Sequence, residues 1–127
     1  MPKIVHFELP FDDAERANRF YAEVFGWESH KWEGPHEYYL QETGPLEEPG
    51  IGGALAPRER MASGGGTHIV IGVDDLDAYV AKVTAAGCDI VTPRTAIPGV
   101  GWFADFRDTE GNVMGLFQRD DEAASRE

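Results

Sequence analysis

The chain has little cysteine, little positive charge and no long apolar run. Its single cysteine, Cys88, excludes an intramolecular disulfide framework and agrees with a reducing compartment. Eleven lysines and arginines stand against 23 aspartates and glutamates, which gives a formal charge of −12. Such an acidic balance argues against nucleic-acid or anionic-membrane partners. No apolar stretch approaches the ~20 residues that span a bilayer, and the chain begins with a predicted strand rather than a secretory signal, so we expect a cytoplasmic protein.

An internal repeat is the most informative feature that the chain does have. Residues 5–13 read VHFELPFDD and residues 67–75 read THIVIGVDD. His6 and His68 each stand six residues before an aspartate, at an offset of 62. A repeat of half the chain indicates two copies of one module. We expect each copy to begin with a strand that carries its histidine on the face opposite its packing face, and two such histidines are candidates to meet near a pseudo-twofold axis.

Apolar periodicity and turn residues predict the order βαβββ in both halves, and hence an α+β fold. In the first half, the predicted elements are a strand over 3–9, a helix over 13–25, and strands near 27–32, 37–43 and 51–56. In the second half, they are a strand over 67–73, a helix over about 75–86, and strands near 88–95, 101–107 and 112–118. Asp12 with Glu15 predicts the cap of the first helix, and Gly26 predicts its end. Alternation places His6 and Glu8 together on one face of the first strand.

The predicted elements define one domain over residues 1–118. It consists of modules 3–57 and 67–118, joined by a glycine-rich flexible linker over 58–66. Residues 119–127 are charged and are predicted to form a frayed tail.

These features together resemble one known family. The duplicated βαβββ order, the two histidines and the segment DTEGNVMGLFQ at residues 108–118 resemble the vicinal oxygen chelate superfamily, which includes glyoxalase I, bleomycin-resistance proteins and extradiol dioxygenases. The resemblance covers about residues 3–118. It implies two tandem βαβββ modules whose curved mixed sheets form an open cup, a small-molecule ligand or substrate, and a homodimer.

The resemblance also implies where a metal would bind. Metal-dependent members use two histidines and one or two glutamates, and these positions fall here on His6, His68, Ala54 and Gly115. The last two offer no ligand atom, whereas catalytic zinc sites have about three protein ligands and non-haem iron sites have two histidines and a carboxylate. A divalent metal (Zn, Ni, Mn or Fe) held by His6 and His68 is therefore less expected than none. The missing glutamate also removes the usual general base.

Other carboxylates are open as substitute ligands. Glu8 lies two residues beyond His6 on the same strand face, about 7 Å along the strand. Glu37 and Glu42 belong to the third strand, whose inward face the sequence does not fix.

Small residues at two of these positions suggest space for an organic ligand. We expect a ligand pocket lined by His6, His68, Ala54, Gly115, Trp102 and Phe117. The competing interpretation is that the histidines are polar residues facing a wet concavity and that the aromatic residues belong to the core. Arg58 and Arg60 of the linker are interpreted as exposed partners of the acidic surface.

Two classes of function follow from the resemblance. One is an enzyme, a small-molecule lyase or related member of the glyoxalase and dioxygenase group with a degenerate metal site. The other is a metal-free protein that sequesters a drug or metabolite, as bleomycin-resistance proteins do. The retained histidines favour the first class, and the loss of both carboxylates favours the second.

Overall fold

The βαβββ order occurs twice in the computed structural model, which describes residues 2–123, so the predicted α+β class is confirmed. The elements of the first half are β1 (Lys3–Phe11), α1 (Ala14–Phe25), β2 (Glu28–Lys31), β3 (Tyr39–Glu42) and β4 (Gly53–Pro57). Those of the second half are β5 (His68–Gly72), α2 (Leu76–Ala85), β6 (Asp89–Ile97), β7 (Gly101–Arg107) and β8 (Val113–Arg119). No helix within the described range is long and apolar enough to cross a membrane.

The chain divides into two compact units. The first unit is Val5–His68, and the second consists of residues 2–4 and 69–123. The segment predicted as a flexible linker belongs to the first unit and contains a short 3₁₀ helix, Arg58–Arg60. Arg58 holds this segment in place, because its guanidinium donates to both carboxylate oxygens of Asp12 at 3.0 and 3.3 Å and to the Gly65 carbonyl at 2.7 Å.

The start of α1 differs by one residue from the prediction. Asp13, not Asp12, is the N-cap, and its carboxylate accepts a hydrogen bond from the Arg16 amide at 3.0 Å. Asp12 instead pairs with Arg58, and the hydrogen bond from that guanidinium lowers the pKa of Asp12. Gly26 ends the helix as predicted, in the left-handed conformation with φ 72°.

Strand pairing in the first unit fixes which side chains share a face. The strand order is β2-β3-β4-β1, in which β1 and β4 are parallel and the other pairs are antiparallel. Gln41 is 3% exposed and donates to Asn18 of α1 at 3.0 Å, so its side of β3 faces the helix. Because paired residues share a face and neighbours alternate, the opposite face carries Glu8, Ala54 and Glu42. We call this opposite side, which also includes His6, the helix-free face of the first unit.

The second unit packs its core between α2 and its own sheet. The strand order is β5-β8-β7-β6, with β5 and β8 parallel. Leu76 of α2, Ala104 of β7 and Leu116 of β8 are the fully buried centre. Asp75 caps α2 by accepting from the Ala78 amide at 3.1 Å, and Gln118 accepts from the Leu76 amide at 2.8 Å. The sheet is thus held against the first turn of the helix.

The first residues of the predicted tail have defined positions. Arg119 is the last residue of β8, and Ala123 is 1% exposed, with its carbonyl accepting from the Gly99 amide at 3.1 Å. Residues 124–127 of that tail lie outside the described residues.

The DTEGN part of the family-like segment forms a tight turn between β7 and β8. Asp108 accepts hydrogen bonds from the amides of Glu110 and Asn112 at 2.9 and 2.8 Å and from the Asn112 side chain at 3.0 Å. Gly111 supplies the left-handed conformation, with φ 87°. The hydrogen bonds from Asn112 lower the pKa of Asp108. This part of the motif therefore specifies a turn.

Asp108→Ala should lower the melting temperature, because three donors of the turn lose their acceptor. The folded-state pKa of Asp108 lies below its unfolded value of 3.8. Its contribution is therefore present above that value and is lost as pH falls through the folded pKa. The difference in melting temperature from wild type should shrink below about pH 4, measured by circular dichroism. Asp89→Ala, at an exposed strand end, is the matched control, and an equal loss in both variants would contradict the assignment.

Candidate functional site

Three polar side chains form a hydrogen-bonded chain on the helix-free face of the first unit. The Tyr38 hydroxyl donates to a Glu8 carboxylate oxygen at 2.5 Å. The same hydroxyl lies 2.8 Å from Nε2 of His6. All three side chains are partly buried. An imidazole, a phenol and a carboxylate are therefore connected by two consecutive hydrogen bonds.

The alternation of β1 and the connection before β3 position these groups. His6 and Glu8 share a face because they are two residues apart in β1. Tyr38 is held at its backbone, where its carbonyl accepts from the Trp32 amide at 2.8 Å. The Trp32 ring meets the Tyr38 ring edge-on at 5.8 Å. Trp32 also lies against Gly34, where an added Cβ would overlap its ring, so the glycine allows this close approach.

The directions of the hydrogen bonds assign the resting protonation states. Tyr38 has one proton and donates it to Glu8, so Nε2 of His6 must be the donor towards Tyr38. Burial lowers the pKa of His6; the nearby Glu8 charge opposes this effect and a charge on His68 adds to it. Burial and the Glu8 charge raise the pKa of Tyr38 far above its usual range. At neutral pH, His6 is thus a neutral imidazole with its lone pair on Nδ1.

Ala54, a predicted pocket residue, has no exposed surface. It pairs with Glu8 on one side and Leu40 on the other. A cavity of about 390 Å³ lies along the β3–β4 connection, lined by Gln41–Leu46 and Glu48–Gly52. Its lining does not include His6, His68, Ala54, Gly115, Trp102 or Phe117. His68, at the start of β5, is 4% exposed.

The predicted pocket residues of the second unit lie on two faces of its sheet. Gly115 is buried and pairs with Asp105, and Phe117 pairs with Phe103. Trp102 lies on the other side of β7 and packs against the core next to α2. Its indole N–H donates to Asp120 at 3.1 Å, and the Arg94 guanidinium lies 4.1 Å above its ring. Trp102 therefore does not share a face of the sheet with Gly115 and Phe117.

The residues at the family's metal positions do not fit a metal centre of the usual kind. Ala54 and Gly115 provide no donor atom, and His6 already uses Nε2 towards Tyr38. Two imidazoles without a carboxylate are fewer ligands than zinc or non-haem iron sites use.

Among residues 2–123, one group of three ligand-type side chains has its donor atoms within 4.8 Å of one another, and it is Glu28, His30 and Glu42. Their alternation and pairing place them on the helix-free face of β2 and β3, where His30 lies 2.7 Å from Glu42. All three are exposed. They are not the predicted metal residues.

Tyr38 is the residue of the site that sequence reasoning missed. Glu8 was one of the carboxylates left open as a substitute ligand, but nothing in the repeat marks a tyrosine that precedes β3. Tyr38 is separated by two and four residues from Leu40 and Glu42, which is the spacing of side chains on one face of a strand. This spacing locates Tyr38 only when it is known that Gln41 faces the helix.

The chain belongs to the Glyoxalase/Bleomycin resistance protein/Dioxygenase superfamily, whose profile matches residues 3–116. It is 31% identical over 124 residues to a glyoxylase-like domain-containing protein of Didymella fabae, covering 92% of this chain and 94% of that one. It is 30% identical to the putative glyoxylase CFP32 of Mycobacterium bovis, covering 87% of this chain but only 42% of that protein. The fold matches methylmalonyl-CoA epimerase from Mycobacterium tuberculosis with TM-score 0.71 at 16% identity, covering 92% of this chain and 87% of that one.

Gly34→Ala should destabilise the first unit, because the new methyl group overlaps the Trp32 ring. Overpacking of this kind costs about 1–3 kcal/mol. Denaturant unfolding followed by tryptophan fluorescence measures the loss. Gly66→Ala is the control, since no atom lies within 4 Å of its added Cβ. Equal stability of Gly34→Ala and Gly66→Ala would contradict the placement of Trp32.

Proposed function

We propose that this protein is a small-molecule enzyme, a lyase or a related proton-transferring member of the superfamily, with a degenerate metal site and with His6 as its general base. The carrying observation is the hydrogen bond that fixes Nε2 of His6 to Tyr38. With Nε2 carrying the proton, Nδ1 is the basic atom of His6. Within the described residues, no hydrogen bond to Nδ1 is present. The substrate is a small compound with an acidic C–H bond next to a carbonyl group.

The chemistry of the site supports proton abstraction. A general base must be unprotonated at working pH and must be oriented towards the proton that it removes. Burial lowers the pKa of His6 from 6.5, which keeps the imidazole neutral at pH 7. The hydrogen bond to Tyr38 fixes the orientation of the ring. No step through a metal is needed for this transfer.

A second candidate function is metal-free binding of a drug or metabolite. It is favoured by the small, buried residues Ala54 and Gly115 at positions where metal-dependent relatives carry glutamates. In either case, a homodimer and a cytoplasmic location are parts of the proposal, the first from the resemblance and the second from the composition.

The test is solvent exchange of a carbon-bound proton. Protein without a tag is freed of metal with a chelator and incubated in D₂O with the hemithioacetal of methylglyoxal and glutathione or with a propionyl thioester, and exchange is followed by proton NMR. We expect wild type to catalyse exchange and His6→Asn to lose about 10²-fold or more of the rate. His36→Asn, at an exposed histidine that contacts Arg60, is the control and should keep the rate.

Undiminished exchange by a folded His6→Asn protein would refute His6 as the base. Exchange that returns only when Ni²⁺, Zn²⁺, Mn²⁺ or Fe²⁺ is restored would refute a degenerate metal site. No exchange by wild type, combined with small molecules that raise its melting temperature, would favour the binding protein.

A further inference from the structure

The position of His6 presents an electrostatic problem for a base. When it accepts a proton, an imidazolium forms at a partly buried site where burial disfavours the charged ring. A base at such a site is more effective when the positive charge that it gains can be passed to another group as a proton. The structure provides a continuation, since the Nε2 proton of His6 points at the Tyr38 oxygen and the Tyr38 proton points at Glu8.

The geometry points to Tyr38 and Glu8 as a proton relay, in which Tyr38 passes the proton gained by His6 on to Glu8, the final acceptor. This inference rests on the proposed function for the source of the proton. The hydrogen-bonded chain is not needed to pair the strands, because the register of β1 and β4 is set by their backbones and not by the side chains of Tyr38 and Glu8.

The transfer balances in three coupled steps. The substrate C–H bond breaks and an N–H bond forms at Nδ1 of His6, leaving the electron pair on the substrate as an enolate. The Nε2–H bond of His6 breaks as an O–H bond forms on Tyr38, and the original Tyr38 O–H bond breaks as an O–H bond forms on Glu8. His6 and Tyr38 end neutral, Glu8 ends as a carboxylic acid, and its negative charge has moved to the enolate.

The relay also narrows the class of substrate. The site has one formal negative charge, on Glu8, before reaction and one on the substrate afterwards, so an uncharged carbonyl end avoids placing a second negative charge beside Glu8. A carboxylate at the reacting end would face that charge at short range. We therefore assign the acidic end as the carbon next to a neutral aldehyde, ketone or thioester carbonyl group.

A purely structural network makes a different prediction from a relay. It would satisfy the same polar groups with the same Nε2–H tautomer but would not need a carboxylate that takes up a proton. Glu8→Gln distinguishes the two cases, because the glutamine oxygen still accepts from Tyr38 but takes no proton at neutral pH. Tyr38→Phe breaks the chain while it keeps the ring that packs on Trp32.

The first readout is the tautomer of His6, measured without substrate by multiple-bond proton–nitrogen NMR on protein with its four histidines labelled with ¹⁵N. We expect the Nε2–H form in wild type and in Glu8→Gln. In Tyr38→Phe, we expect the Nδ1–H form to gain population. Tyr39→Phe, whose hydroxyl bonds only the exposed Glu37 side chain, is the matched control and should leave His6 unchanged. An Nδ1–H tautomer in wild type would overturn the relay.

The second readout is the exchange rate. Glu8→Gln and Tyr38→Phe should each lower kcat by about tenfold or more with KM little changed, whereas Tyr39→Phe keeps both. Full exchange by folded Glu8→Gln with loss in His6→Asn would overturn the relay and leave the proposed function standing. If wild type shows the expected Nε2–H tautomer but catalyses no exchange, the proposed function is wrong. The relay would then have no source for its proton. Melting curves establish that each variant is folded, and Glu8→Gln is decisive where Tyr38→Phe unfolds.

Discussion

The hydrogen bond from Tyr38 to Glu8 determines how the polar face of the first unit is arranged. It fixes the only proton of the phenol, which makes His6 the donor on the other side of the same oxygen. The tautomer of the imidazole, the atom that is basic and the direction in which a proton can travel all follow from this bond. The groups of this network are held by their surroundings. Strand β1 carries His6 and Glu8, and the contact with the Trp32 ring orients Tyr38.

Both units have small residues at the positions that the sequence resemblance assigns to the carboxylate ligands of metal-dependent members. In the first, the residue at the carboxylate position is Ala54, and its partner on the next strand is Glu8. In the second, the corresponding residue is Gly115, and its partner across β7 and β8 is Asp105. The two carboxylates are not equivalent in the repeat, because Glu8 lies on the parallel neighbour β1 and Asp105 lies on the antiparallel neighbour β7. The residue of the parallel neighbour β5 that pairs with Gly115 is Val70. The first unit connects its carboxylate through Tyr38 to His6, and this connection is the basis of the proposed proton transfer.

Much of the fold could be predicted from the sequence, because period-two and helical patterns, paired aspartates and glycines specify strands, caps and ends locally. The first helix was placed one residue out at its cap because Asp12 and Asp13 are equivalent caps in the sequence. Arg58, which is distant in the chain, takes one of them as its partner. The side of β7 on which Trp102 lies could not be predicted, since alternation groups residues without saying which group meets the helix. The place of Tyr38 in the site could not be predicted, because it depends on how the β2–β3 connection packs Trp32 against Gly34.

The measurement that tests metal-free base catalysis most directly is the pH dependence of kcat/KM for exchange by metal-depleted protein. In the proposed mechanism, the unprotonated form of His6 is the active one, and burial lowers the pKa of His6 from 6.5. The rate should therefore rise with pH, have its midpoint below 6.5 and be level at neutral pH. This acidic limb should be absent from the residual rate of His6→Asn. A midpoint above 6.5, or the same limb in His6→Asn, would contradict the assignment of His6 as the base.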